Sequence, residues 1–126
     1  MIKDKPRPVN LNLLSFRFPP MALVSIAHRV SGFFLFLVIP WCLYLLSCAL
    51  DSSASFSSLL FFLRSPLVKL LNGLALAAVW FHVFAGFRHL LMDIGFGESL
   101  RAARITAYGV MVIWLLAVVL TGVWLW

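Results

Sequence analysis

Residues Met21–Leu50 read MALVSIAHRVSGFFLFLVIPWCLYLLSCAL, and Arg29 is their only fixed charge. At a rise of 1.5 Å per residue this run reaches roughly 45 Å as an α-helix, enough for a hydrocarbon core of about 30 Å and both interfaces. Inside lipid, backbone donors and acceptors must be satisfied within the segment, which a helix does. The fold class follows: all-α and integral to a membrane.

Two further runs have the same character, giving spans of about 21–50, 66–92 and 105–126. Over the 126 residues, 63% are hydrophobic and 11% charged, a balance no soluble domain of this size shows. The expected organisation is an N-terminal arm, residues 1–20, followed by one three-helix transmembrane domain, residues 21–126. The arm carries Lys3, Lys5, Arg7 and Arg17 among Pro6, Pro8, Pro19 and Pro20. Asp51–Ser58 is Ser-rich and reads as a short loop, with Leu59–Leu63 as an interfacial turn. Pro66 opens the second span, as proline suits a first helical turn. Asp93–Arg104, with Gly95 and Gly97, reads as the second connection, and Trp124 and Trp126 suit an interfacial belt.

The formal net charge is +6, but the cations are thinly spread and form no basic patch interleaved with aromatics, so nucleic acid is not indicated. They mark topology instead. With three spans, Lys3, Lys5, Arg7, Arg17, Arg88, Arg101 and Arg104 fall on one side, against Arg64 and Lys69 on the other. Cytoplasmic loops hold the excess of Lys and Arg, which predicts a cytoplasmic N-terminus and a periplasmic C-terminus. Lys69 and Arg88, near span ends, are expected to snorkel outward. The arm lacks a long apolar core and does not read as a cleaved secretory signal. The expected location is the bacterial inner membrane, multi-pass. Cys42 and Cys48 have no metal-ligand spacing and are expected as buried thiols.

Arg29 is a site candidate, because a cation in hydrocarbon costs at least about 2.5 kcal/mol and normally faces an anion, a bundle interior or water. Ser25, His28, Arg29 and Gly32 are related by steps of three, four and seven, which places them on one helical side. In the second span, His82 and His89 stand seven apart, along a strip that includes Ala75, Ala78, Ala85, Gly86 and Asp93. Small residues allow another helix, or a flat macrocycle, to approach closely. The two histidines are about 10.5 Å apart along the axis and do not share one iron. On spacing alone His82 has two open readings: an interhelical hydrogen bond, or a haem ligand whose opposite partner comes from a different chain or from another position in this one. Arg29 lies about 12 Å from the start of its span and His82 about 16 Å from Asp93, so the two are expected at similar depth.

Several stretches together resemble the cytochrome b large anchor subunit of bacterial succinate dehydrogenase, respiratory complex II. They are Arg7-Pro-Val-Asn-Leu, Arg17-Phe-Pro, Ser25-Ile-Ala-His-Arg-Val-Ser-Gly32 and His82-Val-Phe-Ala-Gly-Phe-Arg-His89-Leu-Leu-Met-Asp93-Ile-Gly95. The resemblance implies that His82 is an axial ligand of haem b, with the second from a small hydrophobic anchor subunit. It implies that Ser25 and Arg29 belong to the ubiquinone site, and that His28 and Arg29 approach the haem propionates. His89 matches the motif without needing to be a ligand. Implied partners are the small anchor, the iron–sulfur subunit and the flavoprotein subunit. Succinate oxidation belongs to those partners, since this chain has no Gly-rich phosphate loop and no cysteine set for a cluster. The competing readings are a menaquinone-linked fumarate reductase anchor and a cofactor-free structural anchor.

Overall fold

The computed structural model describes residues 16–126. The cations Lys3, Lys5 and Arg7 of the expected arm, and the Arg7-Pro-Val-Asn-Leu stretch, lie outside them. Four helices follow in order: α1 (Pro20–Asp51), α2 (Ser53–Leu63), α3 (Pro66–Asp93) and α4 (Leu100–Leu125). Three of them, α1, α3 and α4, are long and apolar enough to cross a membrane. They agree with the three expected spans. No strand occurs among the described residues.

Two connections differ from expectation. The segment expected to be a loop, Asp51–Ser58, is mostly helix: only Ser52 separates α1 from α2. Its hydroxyl accepts the Ser55 N–H at 3.1 Å. The serines that made the stretch look like a loop therefore supply the cap, and the remaining residues propagate the turn as far as Leu63. The connection before the last span is also shorter than Asp93–Arg104. Ser99 accepts the Ala102 N–H at 3.3 Å and starts α4 at Leu100, five residues before the first expected apolar position. Polarity there marked an amphipathic first turn.

The end of α3 has a clear cause. Gly95 and Gly97 hold φ of 85° and 80°, the left-handed region where a side chain is disfavoured. The Gly95 N–H donates to the Met92 carbonyl and the Phe96 N–H to the Leu91 carbonyl, both at 2.9 Å, which is the paired closure of a Schellman motif. Ser65 and Pro66 start α3 in the mirrored way, with the Ser65 hydroxyl accepting from Val68 N–H at 3.4 Å.

Helix α3 is central, packing on both α1 and α4, which also touch each other, while α2 lies mainly along α1. The core is small: Val24, Phe81, Ala85, Ala107 and Val110 are buried together. Most large apolar side chains face outward, with Phe33 68% and Trp124 79% exposed. That is the required arrangement when the solvent is hydrocarbon. Cys42 is exposed and Cys48 half-buried, so neither is the buried thiol expected. Polar ties hold the bundle where area burial between helices drives little. The Trp114 indole N–H donates to the Ala77 carbonyl at 2.9 Å, and the Trp80 N–H to Thr121 Oγ1 at 3.0 Å. Lys69 Nζ sits 5.7 Å over the Trp126 ring, so its charge stays at the span end as expected.

Candidate functional site

Helix α3 turns two adjacent faces to its neighbours. Phe81, Ala85 and Arg88, in steps of four and three, form the buried face. One residue further on, His82, Gly86 and His89 form the second face, and His28 of α1 meets all three of them. Helix α1 answers with Val24, His28 and Ser31, again in steps of four and three; Val24 and Ser31 are buried.

The geometry around His82 is specific. Ser31 Oγ–H donates to the His28 carbonyl at 2.8 Å, a local i−3 bond that commits its proton. His82 Nδ1 lies 3.1 Å from Ser31 Oγ and 3.2 Å from the same His28 carbonyl. Two acceptors at one ring nitrogen assign the hydrogen to Nδ1, so Nε2 carries the lone pair. Among the described residues Nε2 of His82 makes no hydrogen bond.

The His28 ring stacks on His82 with centroids 4.1 Å apart and planes 17° from parallel. It is also 5.2 Å from His89. The two glycines make the approach possible. A Cβ on Gly32 would stand 2.9 Å from His82 Cε1, and one on Gly86 would stand 3.1 Å from His28 Nε2. His28 Nε2 is buried and has no hydrogen-bond partner among the described residues. A buried polar atom in that state is costly and indicates a missing partner. No three His, Cys, Asp or Glu side chains converge as a metal-ion site among the described residues.

The structure places the remaining candidates separately. The expected equality of depth holds: His28, the neighbour of Arg29, touches His82 across the helix pair. Within the chain it is His28 rather than Arg29 that meets His82. Ser25 is half-buried and Arg29 exposed, and neither hydrogen-bonds another described residue. One residue is about 100° around a helix, so Arg29 is turned off the His28 face.

Arg88 corrects the sequence reading. It does not snorkel outward but is only 5% exposed. Its Nε donates to Thr106 Oγ1 at 3.0 Å and Nη2 to the Ala103 carbonyl at 3.2 Å, both on α4. Its i−3 and i−7 neighbours Ala85 and Phe81 are core residues, which was the available signal. The sequence alone assigns no role to Ser31, although its spacing from His28 is that of a serine bonding back along a helix.

These features define a multi-pass helical membrane protein with half-buried imidazoles gathered between α1 and α3. Comparison with known proteins sharpens this. The family of succinate dehydrogenase/fumarate reductase transmembrane subunits matches residues 3–121. The succinate dehydrogenase cytochrome b556 subunit of Coxiella burnetii is 52% identical over 121 residues, 95% of this chain and 97% of that protein. The cytochrome b556 subunit of Paracoccus denitrificans is 32% identical over 98 residues, 78% of this chain and 75% of its own. That of Rickettsia felis is 32% identical over 110 residues, 84% and 82% respectively. The chain belongs to the succinate dehydrogenase/fumarate reductase transmembrane subunit family. It is a complex II membrane anchor, multi-pass in the bacterial inner membrane.

Proposed function

We propose that this chain is the haem b-binding anchor of a succinate:ubiquinone oxidoreductase, holding the flavoprotein and iron–sulfur subunits at the membrane and forming part of the ubiquinone-reduction site. The observation that carries the haem assignment is the double hold on His82 Nδ1. A metal-ligating imidazole generally donates its other ring hydrogen to a carbonyl or similar acceptor, which orients the ring and raises its basicity. Further support comes from the buried, unpartnered His28 Nε2 and from the clearance left by Gly32 and Gly86. The relatives named above are cytochrome b556 subunits of succinate dehydrogenase, which favours this reading over a fumarate reductase or a cofactor-free anchor.

His82 Nε2 would hold the haem iron, together with a ligand from the small hydrophobic anchor subunit. When bound, the haem supplies a one-electron site inside the membrane. His28 Nε2 and the Arg29 guanidinium take the propionates. His89 is left as a packing neighbour of His28. Ser25 and Arg29 address ubiquinone. A quinone carbonyl offers only lone pairs, so a hydroxyl is a fitting donor, and a guanidinium offsets the negative charge that reduction places on that oxygen. The exposure of Arg29 in this chain suits a residue completing a site with partner subunits. The spans hold no Asp or Glu within their cores, so the protons for quinol come from the cytoplasmic side, where the N-terminus lies.

The test is spectroscopic. The co-expressed complex should show a reduced b-type spectrum that disappears in His82→Ala, while succinate oxidation by an artificial dye continues. A His82→Ala complex with an unchanged spectrum removes the ligand assignment.

A further inference from the structure

On the face of α3 adjacent to the imidazoles, the guanidinium of Arg88 is almost wholly withdrawn from the surroundings, and it poses an electrostatic problem. Both of its partners are neutral, a threonine hydroxyl and a backbone carbonyl. Thr106 Oγ1 also donates to the Ala103 carbonyl at 3.3 Å, so the three groups form a closed triangle that fixes the guanidinium. Two of five N–H donors are used. Among the described residues the positive charge has no counter-ion, and a buried cation without one is strongly disfavoured in or near hydrocarbon.

A cavity of about 360 Å³ lies between α3 and α4 beside this charge. Apart from Arg88 and Thr106, the side chains that shape it are apolar, among them Phe84, Phe87, Leu91 and Ile113. One fixed cation in an otherwise greasy slot calls for an amphiphile with an anionic head. Arg88 is five residues before the end of α3, about 7.5 Å along the axis, which is the depth of a headgroup zone. Arg101 and Arg104 are exposed in the first turn and a half of α4, at the same end of the bundle. They add positive potential where a phosphodiester would arrive.

We propose that the α3–α4 cavity seats one anionic phospholipid, its phosphate paired with the Arg88 guanidinium and one acyl chain lying between Phe87 and Ile113. This inference is independent of whether His82 carries iron. Arginine suits the role because its planar donors meet phosphate oxygens in pairs.

Two substitutions address the two ends of the lipid separately. Arg88→Gln removes the charge. Gly109→Leu places a side chain in the cavity while leaving Arg88 and Thr106 untouched; Gly109 lines the cavity and a Cβ there meets nothing within 4 Å. The whole complex is reconstituted into nanodiscs of phosphatidylcholine with a minority of phosphatidylglycerol, released, and its retained lipid weighed by native mass spectrometry. The wild-type complex should retain phosphatidylglycerol in excess of its share. Arg88→Gln should lower that retention roughly tenfold, the scale of one charge-assisted hydrogen bond. Gly109→Leu should lower it too, and decides the matter if Arg88→Gln does not assemble. Equal retention of the two lipids by the wild type overturns the proposal. So does undiminished phosphatidylglycerol on Gly109→Leu, or a partner carboxylate cross-linked to Arg88 in place of lipid.

Discussion

Ser31 Oγ stands 3.1 Å from His82 Nδ1 while giving its own hydrogen to the His28 carbonyl at 2.8 Å, so one buried hydroxyl joins the backbone of α1 to an imidazole of α3. The carbonyl alone would still accept from Nδ1, at 3.2 Å, so Ser31→Ala should loosen the ring without releasing it. Loss of an outer partner typically lowers metal affinity about 10- to 100-fold. The expected result is a complex that keeps its b-type absorption but gives up haem faster to an apo-globin acceptor, with an altered low-spin resonance. Identical release and resonance in Ser31→Ala would show that the hydroxyl does not orient His82.

Gly32→Ala tests the close approach itself. In an exposed helix the change would gain about 1 kcal/mol of propensity. Here the new methyl meets the His82 ring at 2.9 Å, inside any normal contact, so either the ring or the helix must move. Overpacking of this kind costs about 1–3 kcal/mol. The complex should melt at lower temperature and bind less haem. Gly122→Ala, where a Cβ meets nothing within 4 Å, is the matched control and should melt no earlier than the wild type.

If Ser25 and Arg29 form the proposed quinone site, Ser25→Ala and Arg29→Leu should each depress succinate:ubiquinone activity and leave dye reduction intact. A charge-assisted hydrogen bond is worth about 1.5–3 kcal/mol, so Arg29→Leu should cost roughly 10- to 150-fold in kcat/KM for ubiquinone. Normal quinone reduction by both variants would move the site elsewhere.

The spans were legible because apolar runs of 22 to 30 residues leave the backbone no alternative to a helix in lipid, and span ends at Pro66 and at the Gly95 turn carry their own chemistry. The depth match of the first and second spans followed from counting residues. What could not be read was azimuth. Ser25, His28 and Arg29 fall within one broad helical side, and sequence does not tell which part of it meets α3; the structure gives that part to His28 and Ser31. Arg88 departs from expectation for the same reason: distance from a span end predicts snorkelling only when the side chain points outward, and Arg88 points at α4. The α2 helix was missed because serines serve equally as loop residues and as caps.

Trp114 separates the frame from the site. Its indole N–H donates to the Ala77 carbonyl at 2.9 Å, and its ring meets Phe81 edge to face, with centroids 5.6 Å apart at 88°. Phenylalanine keeps an aromatic ring in this seam and removes the donor, leaving a carbonyl that is still bonded within α3. Trp114→Phe should therefore lower stability by about 1 kcal/mol, while Trp114→Ala, which also empties the space, should cost about 3–5 kcal/mol. Trp114 belongs to α4 and meets Ala77 and Phe81 on the face of α3 next to the one that carries His82, so the visible spectrum and ubiquinone reduction should stay at wild-type values in Trp114→Phe. A melting curve paired with a reduced-minus-oxidised spectrum checks this. A spectral change would mean that the α3–α4 seam sets the position of His82, and that α3 moves as one body between its two neighbours.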